Sequence, residues 1–447
     1  MTLVREVPRT RRGAFGPARP LRAETLRGFA PAAGVAVLLT TAVLLAGSAE
    51  QWQGGWAETR SRTHEALLIV LPLAAAAGCR QGGRERRRRT EELWATVARG
   101  PLARFLVSAL PVALWVAAGY AVAAAGALLA TWPYATGDRP GTDLLPADVV
   151  ALAAASVAGQ VVGRLVAWRP AAPLLAVAGF VALGLAEDAR GGSGRLLNPA
   201  FPVGVGTVPV PWQPVAMAVW VSGAAAAAVL AYAARRRWAA LLPLAAALTA
   251  GALLVRAGND GLWHADPARD RQVCDTSTTP QVCVNARNAR LLPQVADALS
   301  GITGRLEGVR NLPVRFEDRP GDPGRDEAEL PMLTPFGWSV VRGRLTDPEQ
   351  YAWEAVQALQ ARGDCDRLQA RVHRADDAVT HYLAPNPLQE DFDEHDAGGD
   401  EARRAELGER RAARARLASM GEDERREWLS AYFASAGDCD PSGVPDL

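Results

Sequence analysis

The stretch "LPLAAAAGCRQGGRERRRRTEELWATVARGPLARFLVSALPVALW", Leu71 to Trp115, decides the architecture of this chain. It places five arginines, Arg84 and Arg86 to Arg89, between two apolar segments. Guanidinium groups cross hydrocarbon at a high cost, and the cytoplasmic loops of membrane proteins carry an excess of arginine and lysine. Residues 80–102 are therefore predicted to form a cytoplasmic loop between two transmembrane helices.

Outward from this loop, seven windows are apolar enough to cross a bilayer, for which roughly 17–25 residues are needed per helix. The windows lie near 28–49, 62–79, 103–131, 148–167, 171–187, 213–234 and 238–257. The second window is the weakest, because its apolar core begins only at Ala66 and Pro72 interrupts it. The predicted orientation depends on this window. If it does not cross the membrane, every later segment is assigned to the opposite side of the membrane.

The placement of arginine predicts the sidedness. The N-terminal arm, 1–27, holds seven arginines and two glutamates, so we expect it in the cytoplasm. Seven spans then put the basic clusters of 80–102, 168–170 and 235–237 on that same side. A cleavable signal peptide is the alternative interpretation of residues 1–49, because a basic start precedes an apolar centre and small residues.

An odd number of spans sends residues 258–447 out of the cytoplasm. The charge divides at the same boundary: residues 1–257 carry a net charge of +13 and residues 258–447 a net charge of −12, which gives the overall +1. The predicted fold class is an all-α polytopic plasma-membrane protein with about seven transmembrane helices and a smaller, mainly helical, disulfide-linked extracytoplasmic domain. Residues 28–257 form the transmembrane domain, whose medium is the lipid bilayer.

The cysteines fit an oxidising compartment for the C-terminal part. Cys79 lies at a membrane boundary, and the remaining four form an even set: Cys274, Cys283, Cys365 and Cys439. Three pairings are open. We favour Cys274–Cys283, which closes a short Thr/Pro-rich loop, together with Cys365–Cys439, which joins the two copies of the tetrapeptide GDCD.

The C-terminal part also shows helical periodicity. Capping boxes beginning at Thr346 and at Ser419 predict two helix starts, and an apolar stripe predicts a third helix near 285–308, followed by a short strand at 313–317. Residues 385–400 are predicted to form an exposed acidic loop. A calcium site there is the weaker alternative, because the spacing lacks the Gly and the distal Glu of an EF-hand.

The sequence contains no evident catalytic set. It has no lysine and no G-x-x-x-x-G-K-[ST] loop, so this chain does not hydrolyse ATP in the usual way. The stretch "THEAL" at 63–67 lacks the second histidine of a zinc protease motif. Arg164 lies near the end of its span, where it can snorkel to the interface. We therefore assign no catalytic residue, no metal site, no cofactor and no nucleic-acid partner, and expect no chain of buried charges of the kind that drives a proton- or sodium-coupled carrier.

The segment "PLAAAAGCRQGGRERRRRTEELWATVARGPLARFL", 72–106, resembles the region between the second and third spans of actinobacterial ABC transporter permeases of the type-2 exporter class. The C-terminal part is similar, in "CDTSTTPQVCVNARNARLLPQVADALSGI" and "REWLSAYF", to outer domains appended to some actinobacterial membrane proteins. A seventh span and an outer domain depart from the six-span permease pattern.

The resemblance implies a permease subunit of an ATP-driven exporter, which pairs with a separate ATP-binding subunit and forms a homodimer. It implies a coupling segment that docks the ATPase through Arg84, Glu85, Arg86, Arg87, Arg88, Arg89, Thr90, Glu91, Glu92, Leu93 and Trp94. A simple topogenic loop is the alternative role for these residues. The alternative function is a membrane-anchored binding or sensing protein, whose C-terminal domain is the functional module.

Overall fold

The computed structural model describes residues 25–26, 28–87, 100–135, 140–166, 168–188, 192–319, 321, 323–324, 326–334, 339–362, 369–437 and 440–447. The chain divides into two compact units. The first, the membrane unit, comprises 1–47, 60–127 and 142–264; the second, the C-terminal unit, comprises 48–59, 128–141 and 265–447.

Long apolar runs form the helices of the N-terminal 264 residues. The helices are α1 (Ala30–Ala46), α2 (Trp56–Glu65), α3 (Leu67–Gly82), α4 (Arg84–Arg87), α5 (Pro101–Thr131), α6 (Leu145–Leu165), α7 (Ala171–Asp188), α8 (Gln213–Ala233) and α9 (Leu241–Leu262). Two short strands, β1 (Thr207–Pro209) and β2 (Trp263–Ala265), follow α7 and α9. Each of the seven predicted apolar windows therefore contains a helix.

Four helical segments of the described chain are long and apolar enough to cross a membrane, judged by length and composition. They are Pro101–Thr131, Leu145–Leu165, Gln213–Ala233 and Arg237–Leu262. Two further apolar helices, Ala30–Ala46 and Ala171–Ala186, are shorter. The predicted helical membrane architecture is thus confirmed for several apolar helices, and the complete count of seven spans stays a prediction.

The second predicted window differs in its start. Residues 62–65 belong to the polar helix α2, and the apolar helix α3 begins only at Leu67. Polar side chains of α2 are buried because distant parts of the chain accept their hydrogen bonds; the Ser61 hydroxyl donates to the carbonyl of Val203 at 2.8 Å. A hydropathy window cannot separate such a helix from the span that follows it.

Helices α3 and α6 pack backbone against backbone. Gly159 and Gly163 of α6 face α3, and a Cβ atom at either position would overlap a carbonyl oxygen, that of Ala75 or that of Cys79. Gly78 of α3 has the same relation to α6. Small residues spaced four apart allow this close approach in membranes. The two helices consequently form one tightly joined pair.

The C-terminal unit contains a four-stranded sheet in the order β3 (Gln272–Asp275), β4 (Gln281–Asn285), β5 (Arg315–Glu317) and β6 (Glu327–Glu329). β3 and β4 are antiparallel, and the other neighbours are parallel. Cys274 and Cys283 are directly opposite in the β3–β4 register and form a disulfide, as predicted. Cys365 and Cys439 lie outside the described residues. A short ladder joins β7 (Val340–Val341) and β8 (Arg344–Leu345).

In the described part of this unit, six α-helices cover the sheet or pack on one another. They are α10 (Leu292–Arg305), α11 (Pro348–Gln360), α12 (Ala370–Leu383), α13 (Pro387–Ala397), α14 (Glu401–Ser419) and α15 (Glu422–Phe433). One apolar core joins the sheet to all of these helices except α13, through fully buried side chains such as Leu299, Phe316 and Tyr432. The prediction of a mainly helical unit is therefore confirmed, and the sheet is larger than the single strand that the sequence predicted.

Three local predictions in this unit are wrong. Asp347, not Thr346, caps α11, because its carboxylate accepts from the Gln350 amide. Ser419 is the last residue of α14, and α15 begins after Gly421. The predicted acidic loop, 385–400, contains helix α13. Asn386 caps α13 and a proline occupies its first turn, so a helix start outweighs the loop-like composition.

Candidate functional site

The predicted docking segment begins with helix α4. The structure describes its first four residues, Arg84 to Arg87, as a single helical turn directly after α3. The remaining predicted docking residues, Arg88, Arg89, Thr90, Glu91, Glu92, Leu93 and Trp94, lie outside the described residues. Arg86 donates to the carbonyl of Leu165 at 3.5 Å, so α4 contacts the C-terminal end of α6.

A shielded ion pair fixes α4 to α6. Arg164 Nη2 lies 3.0 Å from Glu85 Oε1, and the two side chains are 13% and 26% exposed. The same nitrogen donates to Ser108 of α5 at 2.9 Å, and Gln160 donates to that hydroxyl at 2.6 Å. The Arg164 guanidinium also lies over the Phe105 ring, 5.1 Å from its centroid.

This network corrects the interpretation of Arg164 as a side chain that snorkels to the interface. Arg164 has a carboxylate, a hydroxyl and an aromatic face as partners, which together compensate much of its desolvation. The sequence gives little sign of this, because Glu85 is 79 residues away along the chain. As a result, α4, α5 and α6 meet at one charged centre.

A second polar cluster lies among α2, α5 and α6, and the sequence analysis missed it. His64 Nδ1 is 2.9 Å from Asp148 Oδ1, and His64 Nε2 is 3.1 Å from the carbonyl oxygen of Phe201. The Tyr120 hydroxyl is 3.1 Å from Asp148 Oδ2 and 3.0 Å from the carbonyl oxygen of Thr63. His64, Asp148 and Tyr120 are all buried.

His64 connects α6 to the segment between α7 and α8. Nδ1 faces Asp148 of α6, and Nε2 faces the carbonyl oxygen of Phe201. An imidazole nitrogen can donate or accept, so both contacts can be hydrogen bonds. In the sequence, the stretch THEAL was considered only for a zinc protease motif, and Asp148 was not singled out.

The C-terminal unit contains a polar cleft of about 400 Å³. Its walls come from α11, α12, α13 and α14 and bear both signs of charge, with Trp353 as an aromatic face. At its floor the Tyr432 hydroxyl donates to Asp376 at 2.6 Å. Burial raises the pKa of Asp376 above its ordinary value, although the Tyr432 bond and the Arg362 charge oppose that change.

One wall of this cleft is a closed set of ion pairs. Arg414 donates to both carboxylate oxygens of Asp377, at 2.7 and 2.6 Å, and to Asp393 at 3.0 Å. Arg410 lies 3.3 Å from Asp377 and 3.1 Å from Asp393. Burial alone would raise the pKa of Asp393, but the charge of Arg410 and three hydrogen bonds hold it below its ordinary value.

Asp393 belongs to the stretch in which the sequence allowed a calcium site, and its oxygens are occupied by arginine donors. Among the described residues, no group of three or more His, Cys, Asp or Glu side chains could hold a metal ion.

Comparison with known proteins adds no identification: no family model, curated protein or solved structure matches this chain.

Proposed function

We propose that this chain is an integral membrane, permease-like subunit of an ATP-driven exporter. In this proposal a separate ATP-binding subunit docks on the cytoplasmic segment 80–102, seven helices span the membrane, the chain forms a homodimer, and the C-terminal unit is extracytoplasmic. The observation that carries the proposal is the ion pair between Glu85 of the docking segment and Arg164 of α6.

A docking helix must be firmly attached to the spans that it moves. α4 follows α3 after Gly83 alone, and the Glu85–Arg164 pair ties it to α6. α3 and α6 are themselves joined by glycine contacts along their length. A displacement of α4 by a partner would therefore move α3 and α6 together instead of bending a flexible loop.

The same helix pair ends at the His64–Asp148 cluster. Asp148 lies in the first turn of α6, sixteen positions before Arg164, which corresponds to about 24 Å along a helix. A movement of α6 that begins at Arg164 would reach the contact between Asp148 and His64. In the proposal this contact is a reporter of the movement at the far end of α6.

The experiment exploits the lack of a Walker lysine in this chain. Tagged protein is purified in mild detergent from the cells that encode it, and ATP hydrolysis by the eluate is measured. The test variant replaces Arg86–Arg89 and Glu91–Glu92 by alanine. The matched control replaces Arg235, Arg236 and Arg237, which form another exposed basic cluster of the membrane unit.

We expect the wild-type eluate to hydrolyse ATP and the control variant to retain that activity. The ATP hydrolysis rate of the test-variant eluate should be at least about tenfold lower. Tenfold corresponds to about 1.4 kcal/mol of docking free energy, less than one charge-assisted hydrogen bond supplies. An inactive wild-type eluate, or a test variant that retains the activity, contradicts the proposal.

The cleft in the C-terminal unit favours a second candidate function, a membrane-anchored binding or sensing protein. A concave site with a few convergent polar groups and one aromatic face is the usual form of a small-molecule site. In this alternative the spans serve as an anchor, and residues 258–447 fold alone when expressed separately. Two results together would favour this function over the first. The fragment binds a ligand and loses that binding in Trp353→Ala, and the eluate of the full-length protein does not hydrolyse ATP.

A further inference from the structure

A second charged feature lies at the same end of the membrane unit as α4, on another face. It is an open cleft of about 550 Å³, which we name the arginine cleft, lined by Arg80, Arg84, Arg87, Arg169, Phe29 and Ala172 among others. None of the described side chains that line it is acidic. Four guanidinium groups thus converge on one cavity.

The fold fixes these arginines in place. The Arg80 guanidinium lies over the Phe29 ring, 5.3 Å from its centroid. Arg87 turns back over Gly83 and donates to the carbonyl of Arg80 at the end of α3. The pKa of Arg87 is lowered, first by its partial burial and then by the like charges of Arg80 and Arg169. The positive charges therefore repel one another across the cleft.

Helix ends add to this positive potential. α1 begins beside Phe29 and α7 begins at Ala171, and neither helix has an acidic residue in its first turn. The N-terminal end of a helix carries a partial positive charge. The C-terminal end of α3 carries the opposite sign, but the Arg87 guanidinium covers its Arg80 carbonyl. The cleft consequently attracts anions.

Its position in the fold selects the kind of anion. The cleft opens where α1 and α7 begin and where α3 ends, which is the end of an apolar helix bundle. When such a bundle spans a bilayer, its end lies at the headgroup layer. Basic pockets between membrane helices bind anionic headgroups. Arginine forks suit phosphate oxygens, which accept two parallel hydrogen bonds.

We propose that the arginine cleft binds the phosphate of an anionic phospholipid headgroup. Arg80, Arg87 and Arg169 hold the phosphate, and the apolar bundle surface next to the cleft accommodates the acyl chains. A zwitterionic lipid has the same phosphate, but its choline cation is repelled by the four guanidinium groups. This inference does not depend on the exporter proposal.

The test uses the full-length protein in detergent with dioctanoyl phosphatidylglycerol as the probe and dioctanoyl phosphatidylcholine as the comparison. Affinities are measured by native mass spectrometry for the wild type, for R80Q/R87Q/R169Q, and for the control R235Q/R236Q/R237Q, which removes the same charge elsewhere on the membrane unit. The single variant R169Q is measured as well. It keeps the test interpretable if the triple variant does not fold.

We expect the wild type to bind phosphatidylglycerol at least about tenfold more tightly than phosphatidylcholine. Each lost arginine contact should weaken binding by at least about tenfold, which is slightly less than one charge-assisted hydrogen bond supplies. R169Q therefore loses about tenfold, the triple variant at least about a hundredfold, and the control less than about twofold.

Three results would overturn the inference. The first is equal affinity of the wild type for the two lipids, which requires no variant to fold. The second is an equal loss in the control and in the triple variant, because binding would then follow the overall charge. The third is displacement of bound phosphatidylglycerol by inorganic phosphate at the same concentration, which would assign the cleft to a free anion.

Discussion

Alanine at Gly159 should separate α3 from α6 and destabilise the membrane unit. The added Cβ would overlap the carbonyl oxygen of Ala75, and no flexible side chain is available to move aside. Overpacking of a close-packed contact costs about 1–3 kcal/mol. Gly126 of α5 is the matched control, because a Cβ there meets no atom within 4 Å. Gly126→Ala should be neutral or stabilising by up to about 1 kcal/mol, since alanine favours helix.

The assay is reversible unfolding of the full-length protein in mixed micelles by titration with sodium dodecyl sulfate, followed by circular dichroism. Gly159→Ala should have the lower free energy of unfolding, by about 1–4 kcal/mol relative to Gly126→Ala. Gly163→Ala, which meets Cys79 in the same way, should repeat the loss. If Gly159→Ala and Gly126→Ala unfold at the same detergent fraction, the backbone contact between α3 and α6 is refuted.

Three further predictions concern the disulfide and the two buried charge clusters. Serine at both Cys274 and Cys283, whose disulfide has a sequence separation of 9, should lower the free energy of unfolding in urea by about 2.5 kcal/mol relative to the oxidised wild type. The wild type under reducing conditions should show the same loss. Asp393→Asn should cost about 1.5–3 kcal/mol at pH 7, because it removes one of the two carboxylates that Arg410 and Arg414 share. Asp396→Asn on the same helix, 85% exposed, should cost almost nothing. Since the folded-state pKa of Asp393 is lowered, its stabilisation is present above the ordinary value of 3.8, and the gap to the wild type should close as pH falls below that value. Asp148→Asn should cost about 1–3 kcal/mol in the micelle assay, because both carboxylate oxygens have buried partners, His64 and Tyr120. Asp143→Asn, at a 55%-exposed side chain, is the control and should cost almost nothing; equal effects of the two substitutions would contradict the buried contacts of Asp148.

The membrane helices were predictable because their signal is local. An apolar run of sufficient length must become a helix in hydrocarbon, where every backbone amide needs an internal partner. The start of the second window was not predictable in this way, because the polar helix α2 is buried by partners such as Val203, more than a hundred residues away along the chain.

The acidic stretch that contains α13 shows how composition misled the analysis. Asn386 followed by Pro387 is a helix-start signal, but the density of carboxylates suggested a solvated loop. Asp393 is buried because Arg410 and Arg414 of α14, which carry the opposite charge, donate hydrogen bonds to its carboxylate. Opposite charges that meet only in the folded chain cannot be read from the composition of either segment.

The candidate sites also differ in whether their signal is local in the sequence or arises from contacts between distant residues. Arginines next to an apolar segment can be recognised in the sequence, so the charged end of α3 was expected. The contact of Glu85 with Arg164, and that of His64 with Asp148, join residues 79 and 84 positions apart. Nothing in either local sequence indicates its partner. The pairs form only where α2 and α4, which flank α3, contact α6 in the folded chain.

Sidedness is the claim on which the exporter proposal depends most, and one labelling experiment tests it directly. Single cysteines replace Arg236 in the membrane unit and Arg403 in the C-terminal unit, both exposed, and intact cells are treated with a membrane-impermeant maleimide, with the wild type as background. The account predicts labelling of Arg403→Cys in intact cells and of Arg236→Cys only after permeabilisation. Labelling of Arg236→Cys in intact cells, or protection of Arg403→Cys until the cells are opened, would contradict it.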